Sequence, residues 1–372
     1  MASPLILLTA GGTGGHLFPA EALANALMAA GARVALATDR RANAYAGSFP
    51  AEEIIEIPSA TPSGRSVPQM ARAGWLLAKG TLKAIPMIRR LKPAAVVGFG
   101  GYPTVPPVVA ATLLGVPTAI HEANGVLGRA NRLLARRASL IATGFEATKG
   151  IPADVRGRIV HTGNPVRPMV LQAAATPYPA LEPDGPIRIL AFGGSQGARV
   201  MSDIVPSAIQ MLPDAIRSRV TICQQAREED LERVRSHYRG LRVAGEIEAF
   251  FRDLPQRIAD SHLVISRSGA STVAELSVIG RPSILVPLPG SLDQDQAANA
   301  ATLEGIEAAI VLPQAAFTPE RLSSEIADFF GDPGRLTRAA SAARTAGITD
   351  AAERLARAVL ALAPTDTIGT SA

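Results

Sequence analysis

Ile187-Arg-Ile-Leu-Ala-Phe-Gly-Gly-Ser-Gln-Gly-Ala-Arg199 decides the fold, because Pro4-Leu-Ile-Leu-Leu-Thr-Ala-Gly-Gly-Thr-Gly-Gly-His16 makes the same move half a chain earlier. Each is a short apolar run, then a glycine loop, then the start of a helical pattern. An unbroken apolar run suits a parallel strand buried on both faces. The glycines let backbone amides approach a phosphate at the N-terminus of the helix that follows. Two such openings predict an α/β protein of two Rossmann-like domains. Their parallel sheets would face one phosphorylated ligand across a central cleft.

The rest of the chain repeats this alternation. Strand signals fall at residues 5–9, 33–38, 54–57, 94–98, 117–121 and 140–142, with a helix over 20–30 that Gly31 ends. A second series falls at 188–192, 220–224, 263–266 and 283–286. Between them, Pro165 to Pro186 is rich in proline and alanine and has no period, so it reads as a linker. The expected domains are therefore 1–164, a linker over 165–187, and 188–349. The segment 350–364 is read as an amphipathic helix able to pack on the first domain, and 365–372 as a disordered tail.

Composition narrows the classes. At 372 residues, 47% hydrophobic and 19% charged, the chain can bury a large core. An aromatic share of 4% argues against a nucleic-acid binder that stacks bases. The lone Cys223 allows neither an internal disulfide nor a cysteine metal site, which fits a reducing cytoplasm. The first apolar run is too short for a secretory signal, and no stretch reaches the length of a spanning helix.

The net charge is +5 and is unevenly spread. No acid stands between Glu56 and Glu122, an interval that holds Arg65, Arg72, Lys79, Lys83, Arg89, Arg90 and Lys92. Arg129, Arg132, Arg136 and Arg137 follow. Such a field attracts an anionic lipid or a pyrophosphate-bearing substrate; the plain alternative is a solvated face. Within it, residues 69–91 mix Met70, Trp75, Leu76, Leu77, Leu82, Ile85 and Ile88 with those cations at helical spacing. That pattern marks an interfacial helix, or equally a core helix with a basic outer face.

The loops carry the chemistry. Gly11–His16 is no P-loop, since no Lys-Ser/Thr follows, and Leu17 stands where a dinucleotide fingerprint needs its third glycine. Asp39 at the end of the second strand keeps a nicotinamide reading open. His16 sits at a helix start, where it can exchange a proton near neutral pH, or simply pack. Phe99-Gly-Gly-Tyr-Pro103 and His121-Glu-Ala-Asn-Gly125 end two more strands, where open α/β sheets place ligands. The polar groups of the second could bond sugar hydroxyls. In the second half, Gly193-Gly-Ser195 offers amides and a hydroxyl to phosphate. Ser266–Glu275 forms a second anion site, with Glu275 set for ribose hydroxyls or for a capping role. Asp293-Gln-Asp295 is a literal D-x-D, a weak metal signal. Gln296 and Asn299 would serve sugar hydroxyls without metal, and the metal-free, cofactor-free reading is preferred.

Gly11–His16, Gly100-Gly-Tyr102, His121-Glu-x-Asn124, Gly163-Asn-Pro-Val-Arg167, Gly193–Arg199, Ser266–Glu275 and Asp293-x-x-Gln296 occur in this order. Together they resemble the bacterial N-acetylglucosaminyltransferases that convert undecaprenyl-pyrophosphoryl-N-acetylmuramyl-pentapeptide (lipid I) into lipid II for peptidoglycan. The resemblance runs from Thr9 to about Asn299. It implies a GT-B fold, with the acceptor on the first domain and UDP-N-acetylglucosamine on the second. It further implies Thr13, Gly14 and Gly15 at the donor sugar or diphosphate, His16 as base, and Tyr102 on the acceptor side. Asn124 would touch the N-acetylglucosamine, and Arg167 and Ser195 the nucleotide and phosphates. Ala270, Ser271, Thr272 and Glu275 would cradle phosphate and ribose, and Gln296 would bond the sugar. The uracil contact falls in Glu248-Ala-Phe-Phe251, where Phe251 is preferred. Asp295 stands where some members carry glutamine and receives no role. The implied partners are UDP-N-acetylglucosamine, lipid I, the anionic inner-membrane surface on its cytoplasmic face and a cell-wall synthesis complex, with no nucleic acid. A UDP-sugar 2-epimerase and a non-catalytic nucleotide-sugar-binding scaffold remain as alternatives on the same fold.

Overall fold

The computed structural model describes residues 3–11, 14–40, 49–58, 67–194, 197–291 and 294–363. The chain divides into two compact units, Met1–Arg167 with Asp350–Ala372, and Pro168–Thr349.

The first unit holds a seven-stranded parallel sheet in the order β3-β2-β1-β4-β5-β6-β7. Its strands are β1 (Leu5–Thr9), β2 (Arg33–Thr38), β3 (Glu53–Glu56), β4 (Ala95–Gly98), β5 (Thr118–Glu122), β6 (Leu140–Thr143) and β7 (Ile159–His161). Along β1, Leu5 and Leu7 enter one apolar cluster with Val96 and Ile120, while Ile6 and Leu8 enter another with Leu36 and Val97. Both faces of the sheet are covered, which is why the strand reads as an unbroken apolar run. The helix Ala351–Leu360 packs on the helix Gly14–Ala29, and Leu355 and Val359 complete that second cluster.

The second unit repeats the plan with six parallel strands in the order β10-β9-β8-β11-β12-β13. These are β8 (Ile187–Phe192), β9 (Val220–Gln225), β10 (Ala244–Glu248), β11 (Leu263–Ser266), β12 (Ser283–Leu285) and β13 (Ala309–Val311). Edge strands β7, β10 and β13 carry no signal in the sequence reading. His161, Glu246 and Glu248 interrupt the apolar pattern of the first two, and β13 is only three residues long. The stretch read as a linker contains the helix Pro168–Ala173. Beyond that helix, Arg281, only 1% exposed, donates to the carbonyls of Thr176, Pro177, Ala259, Ile279 and Gly280. The Tyr178 hydroxyl donates to the His262 carbonyl at 2.9 Å. These bonds secure the segment to the second unit.

Each sheet has one point where chain order reverses, between β1 and β4 in the first and between β8 and β11 in the second. Open α/β sheets bind ligands outside the strand ends at such points. Gly11–His16 and Phe99–Tyr102 follow β1 and β4; Gly193–Arg199 and Arg267–Ala270 follow β8 and β11.

Candidate functional site

At the first switch point the glycines make room for an imidazole. His16 lies in the first turn of the helix Gly14–Ala29 and is half-buried. A Cβ built on Gly11 would stand 3.4 Å from its Cδ2, one on Gly100 3.2 Å from its Cε1, and one on Gly101 3.5 Å from its Nε2. Gly100 and Gly101 have φ of 89° and 75°. The backbone after β4 therefore packs against the ring; Gly100 and Gly101 are required by their positive φ, and a Cβ at Gly100 would also press on the ring. The Thr104 hydroxyl locks this turn by donating to the Gly100 carbonyl at 2.7 Å. Tyr102 opens the short helical turn Tyr102–Thr104 and packs, half-buried, on the core.

The loop after β5 is built on a buried carboxylate. Glu122, 3% exposed, accepts from the Asn124 amide and side chain at 3.0 and 3.1 Å, from the Gly128 amide at 2.8 Å and from Asn131 Nδ2 at 2.9 Å. Burial pushes its carboxyl up, and these donors pull the other way. Asn131 also donates to the His121 carbonyl at 3.1 Å, and Asn164 to the Ala123 carbonyl at 2.8 Å. His121 is fully buried, and its Nε2 lies 3.2 Å from the Gly163 carbonyl. Burial lowers its pKa from 6.5 to about 4, and neighbouring His16 pushes it the same way. Of the His121–Asn124 polar groups expected at sugar hydroxyls, His121 and Glu122 thus turn inward as scaffold; Asn124 remains half-exposed. Arg167, the last residue of this segment, places its Cζ 3.9 Å over the Phe18 ring. It also lowers the Glu21 pKa, which burial raises.

At the second switch point the loops hold one another. The Gly193 amide donates to Gln225 Oε1 at 3.0 Å, and the Gly197 amide to the Gly194 carbonyl at 3.0 Å. A Cβ on Gly193 would lie 2.2 Å from the Ala198 nitrogen, so only glycine permits the fold-back. After β11, Gly269 caps the helix Ala270–Ile279 in extended conformation. Ala270, Ser271 and Thr272 form its first turn, whose amides have no partner within the helix. The Ser271 hydroxyl oxygen is buried without a hydrogen-bond partner among the described residues. Glu275, one turn on, is 7% exposed. The Ser268 hydroxyl donates to the Gln296 carbonyl at 2.8 Å, and Asn299 Nδ2 to the Ser268 carbonyl at 3.2 Å. Gln296 Oε1 accepts from the Leu288 amide at 3.0 Å. Asp295 opens the helix Asp295–Glu304 and accepts from the Gln296 amide at 2.7 Å. Phe251 is 6% exposed under the Arg257 guanidinium, whereas Phe250 is 54% exposed.

Thr13, Ser195 and Asp293 lie outside the described residues. Among the described residues, no group of three His, Cys, Asp or Glu side chains is placed to hold a metal ion. The sequence reading passed over Asn131 and Gln225. The available signal was a polar residue closing an apolar strand, as Gln224-Gln225 closes β9.

On the long helix Val67–Leu91, Ala73, Gly80, Ala84, Met87 and Ile88 are buried. Gly80 lets the helix approach Pro106, to which a Cβ would come within 3.0 Å. Trp75 and Leu82, seven residues apart on the outer face, are 69% and 68% exposed, and Arg72, Lys79 and Lys83 are exposed with them. Among the described residues no helix is long and apolar enough to cross a membrane.

Residues 6–143 match the glycosyltransferase family 28 N-terminal domain, and residues 188–355 its C-terminal domain. A protein of Methylorubrum extorquens is 60% identical over 358 residues, 96% of this chain and 97% of its own. A protein of Methylobacterium sp. strain 4-46 is 61% identical over 361 residues, 97% of each chain. Both are named UDP-N-acetylglucosamine–N-acetylmuramyl-(pentapeptide) pyrophosphoryl-undecaprenol N-acetylglucosamine transferase. The crystal structure of Acinetobacter baumannii MurG superposes with a TM-score of 0.78 at 28% identity, over 96% of this chain and 99% of that one.

Proposed function

Because this chain belongs to glycosyltransferase family 28, we infer that it transfers N-acetylglucosamine from UDP-N-acetylglucosamine to the 4-hydroxyl of the N-acetylmuramyl sugar of lipid I, giving lipid II. The observation that carries this reading is the near-full-length identity to transferases of that name. The second domain, 188–349, takes the donor: amides of the Gly193–Arg199 loop other than those of Gly193 and Gly197, which are already bonded, and amides of the Ala270–Thr272 turn receive the diphosphate, with Ser195 and Ser271. Glu275 receives ribose hydroxyls, the backbone at Phe251 the uracil, and Gln296 the sugar. The first domain, 1–164, takes the acceptor, with Tyr102 on the acceptor side.

The acceptor oxygen forms a bond to the anomeric carbon as the bond from that carbon to UDP breaks. The hydroxyl proton passes to His16, and the electron pair leaves on the β-phosphate of UDP. Attack opposite the leaving group inverts the α-linked donor to a β-1,4 product. Amides and helix dipoles meet the charge that develops on UDP, so the reaction proceeds without a metal. The exposed Trp75–Leu82 face, ringed by cations, docks on the anionic cytoplasmic face of the inner membrane, where the lipid acceptor lies.

The test is UDP release from UDP-N-acetylglucosamine with a lipid I analogue in EDTA. Release that depends on the acceptor and survives EDTA supports the reading. Loss in EDTA that magnesium restores would return the Asp293-Gln-Asp295 sequence to consideration as a metal site. No acceptor-dependent release under either condition would point to the epimerase, read as conversion of UDP-N-acetylglucosamine to its 2-epimer.

A further inference from the structure

Gln225 closes β9, which lies between β8 and β10, and its side chain reaches over both neighbours. Its Oε1 accepts from the Gly193 amide at 3.0 Å, and its Nε2 donates to the Ala249 carbonyl at 3.1 Å. The partners fix the orientation of the amide, since an N–H only donates and a carbonyl only accepts. The residue is 5% exposed and its two partners are half-buried, so losing either bond leaves the buried carboxamide short of a partner. Gln224 points the other way, to the Tyr238 hydroxyl at 2.6 Å and the Met201 carbonyl at 3.1 Å, and serves the core.

Gly193 begins the glycine loop after β8, and Ala249 begins the turn after β10 that contains Phe250 and Phe251. We propose that Gln225 is a positioning residue. Its carboxamide fixes the distance between the diphosphate loop and the base-contacting turn, so that the site measures a nucleoside diphosphate as one unit and selects uracil. This rests on the reading of the second unit as the UDP-sugar site. Only glutamine supplies the acceptor and the donor at this reach. Glutamate keeps the bond from Gly193 but presents an oxygen to the Ala249 carbonyl, and leucine loses both bonds.

The experiment compares Gln225→Glu and Gln225→Leu with wild type in the full chain. It reads UDP and CDP affinity by calorimetry, kcat and KM for UDP-N-acetylglucosamine, and the melting temperature. We expect UDP affinity to fall roughly tenfold to a hundredfold, as when a binding group is misplaced by about 1 Å. The preference for UDP over CDP should fall with it, and KM should rise more than kcat falls, because the lost contacts serve ground and transition states alike. A purely structural role would lower the melting temperature and leave the UDP-to-CDP ratio intact. If one variant fails to fold, the other carries the comparison. Folded variants with wild-type affinity and selectivity overturn the role of Gln225 alone. A wild-type protein that binds no UDP overturns the donor-site reading, and the proposal with it.

Discussion

Replacing Gly101 by alanine tests the path of the acceptor proton. Gly101 has φ 75° and ψ 155°, a region that residues with a Cβ essentially never occupy. Forcing alanine there costs about 1–3 kcal/mol of backbone strain. For a unit of this size that lowers the melting temperature by roughly 2–12 °C. The new methyl would stand 3.4 Å from His16 Cδ2 and 3.5 Å from Nε2. A hydroxyl that gives its proton to Nε2 must come within about 2.6–3.2 Å of it, so the methyl fills part of that approach. General-base catalysis is worth about a hundredfold to ten-thousandfold, and partial obstruction should remove roughly tenfold to a hundredfold from kcat. Affinity for UDP should not change. The assay is steady-state UDP release with a lipid I analogue, beside calorimetry of UDP binding and of unfolding. A folded Gly101→Ala enzyme with kcat within about twofold of wild type would remove the proton's path from that edge of His16.

Three further outcomes are expected. Arg281→Met strips the donors from five carbonyls, three of them buried, and should destabilise the second unit by about 3–5 kcal/mol, with Arg281→Lys between it and wild type; a loss below about 1 kcal/mol in thermal unfolding would contradict this account. The folded pKa of His121 lies below its unfolded value, so its contribution is intact above 6.5, is lost as pH falls from 6.5 to about 4, and is constant below that. The loss is about 3 kcal/mol. Glu122, raised by burial, works in the opposite direction, so the measurement is the difference between the stability curves of wild type and the non-titrating His121→Gln; a flat difference between pH 7 and 4 would contradict it. A Trp75→Asp, Leu82→Asp double variant removes two apolar side chains worth about 3 kcal/mol or more on burial, so flotation with phosphatidylglycerol vesicles should weaken about a hundredfold while turnover of a soluble acceptor holds; unchanged flotation would clear this face of membrane docking.

The parts that were legible in the sequence are those where local conformation and function coincide. β1 and β8 read as buried strands because both of their faces are apolar, and Gly193–Arg199 reads as a loop because its turn demands glycine at 193, 194 and 197. The edge strands β7 and β10 escaped because one-sided burial leaves room for His161, Glu246 and Glu248, which break the apolar pattern. The helix Pro168–Ala173 escaped for a different reason. Its surroundings are secured by Arg281, more than a hundred residues downstream, and nothing local announces that partner. Glu122 read as a ligand group because it ends a strand, where open α/β sheets place ligands. Here four N–H donors from Asn124, Gly128 and Asn131 hold it inside, and three of them come from the loop it organises.

The two switch points share a topology and use their glycines differently, and the difference matches the division of substrates proposed above. In the first unit Gly11, Gly100 and Gly101 line the His16 imidazole, the proposed proton acceptor, and Gly100 comes closest to it. In the second, Gly193 is bare so that the loop can fold onto Ala198. Gln225 then holds that loop by its first amide, while the turn at Ala270 presents the start of a helix. A base must be held in one orientation against a neutral hydroxyl, and the close-packed imidazole provides that. A diphosphate needs several donors at fixed spacing, and the free first-turn amides of a helix start, beside a loop held rigid by its own bonds, suit that need. Each unit thus keeps a glycine loop after its first strand and gives it a different partner: a side chain in one, the loop's own backbone in the other. Transplanting the Gly100-Gly101 turn into the second unit would therefore supply space without donors, and proton transfer and leaving-group stabilisation should respond to separate substitutions.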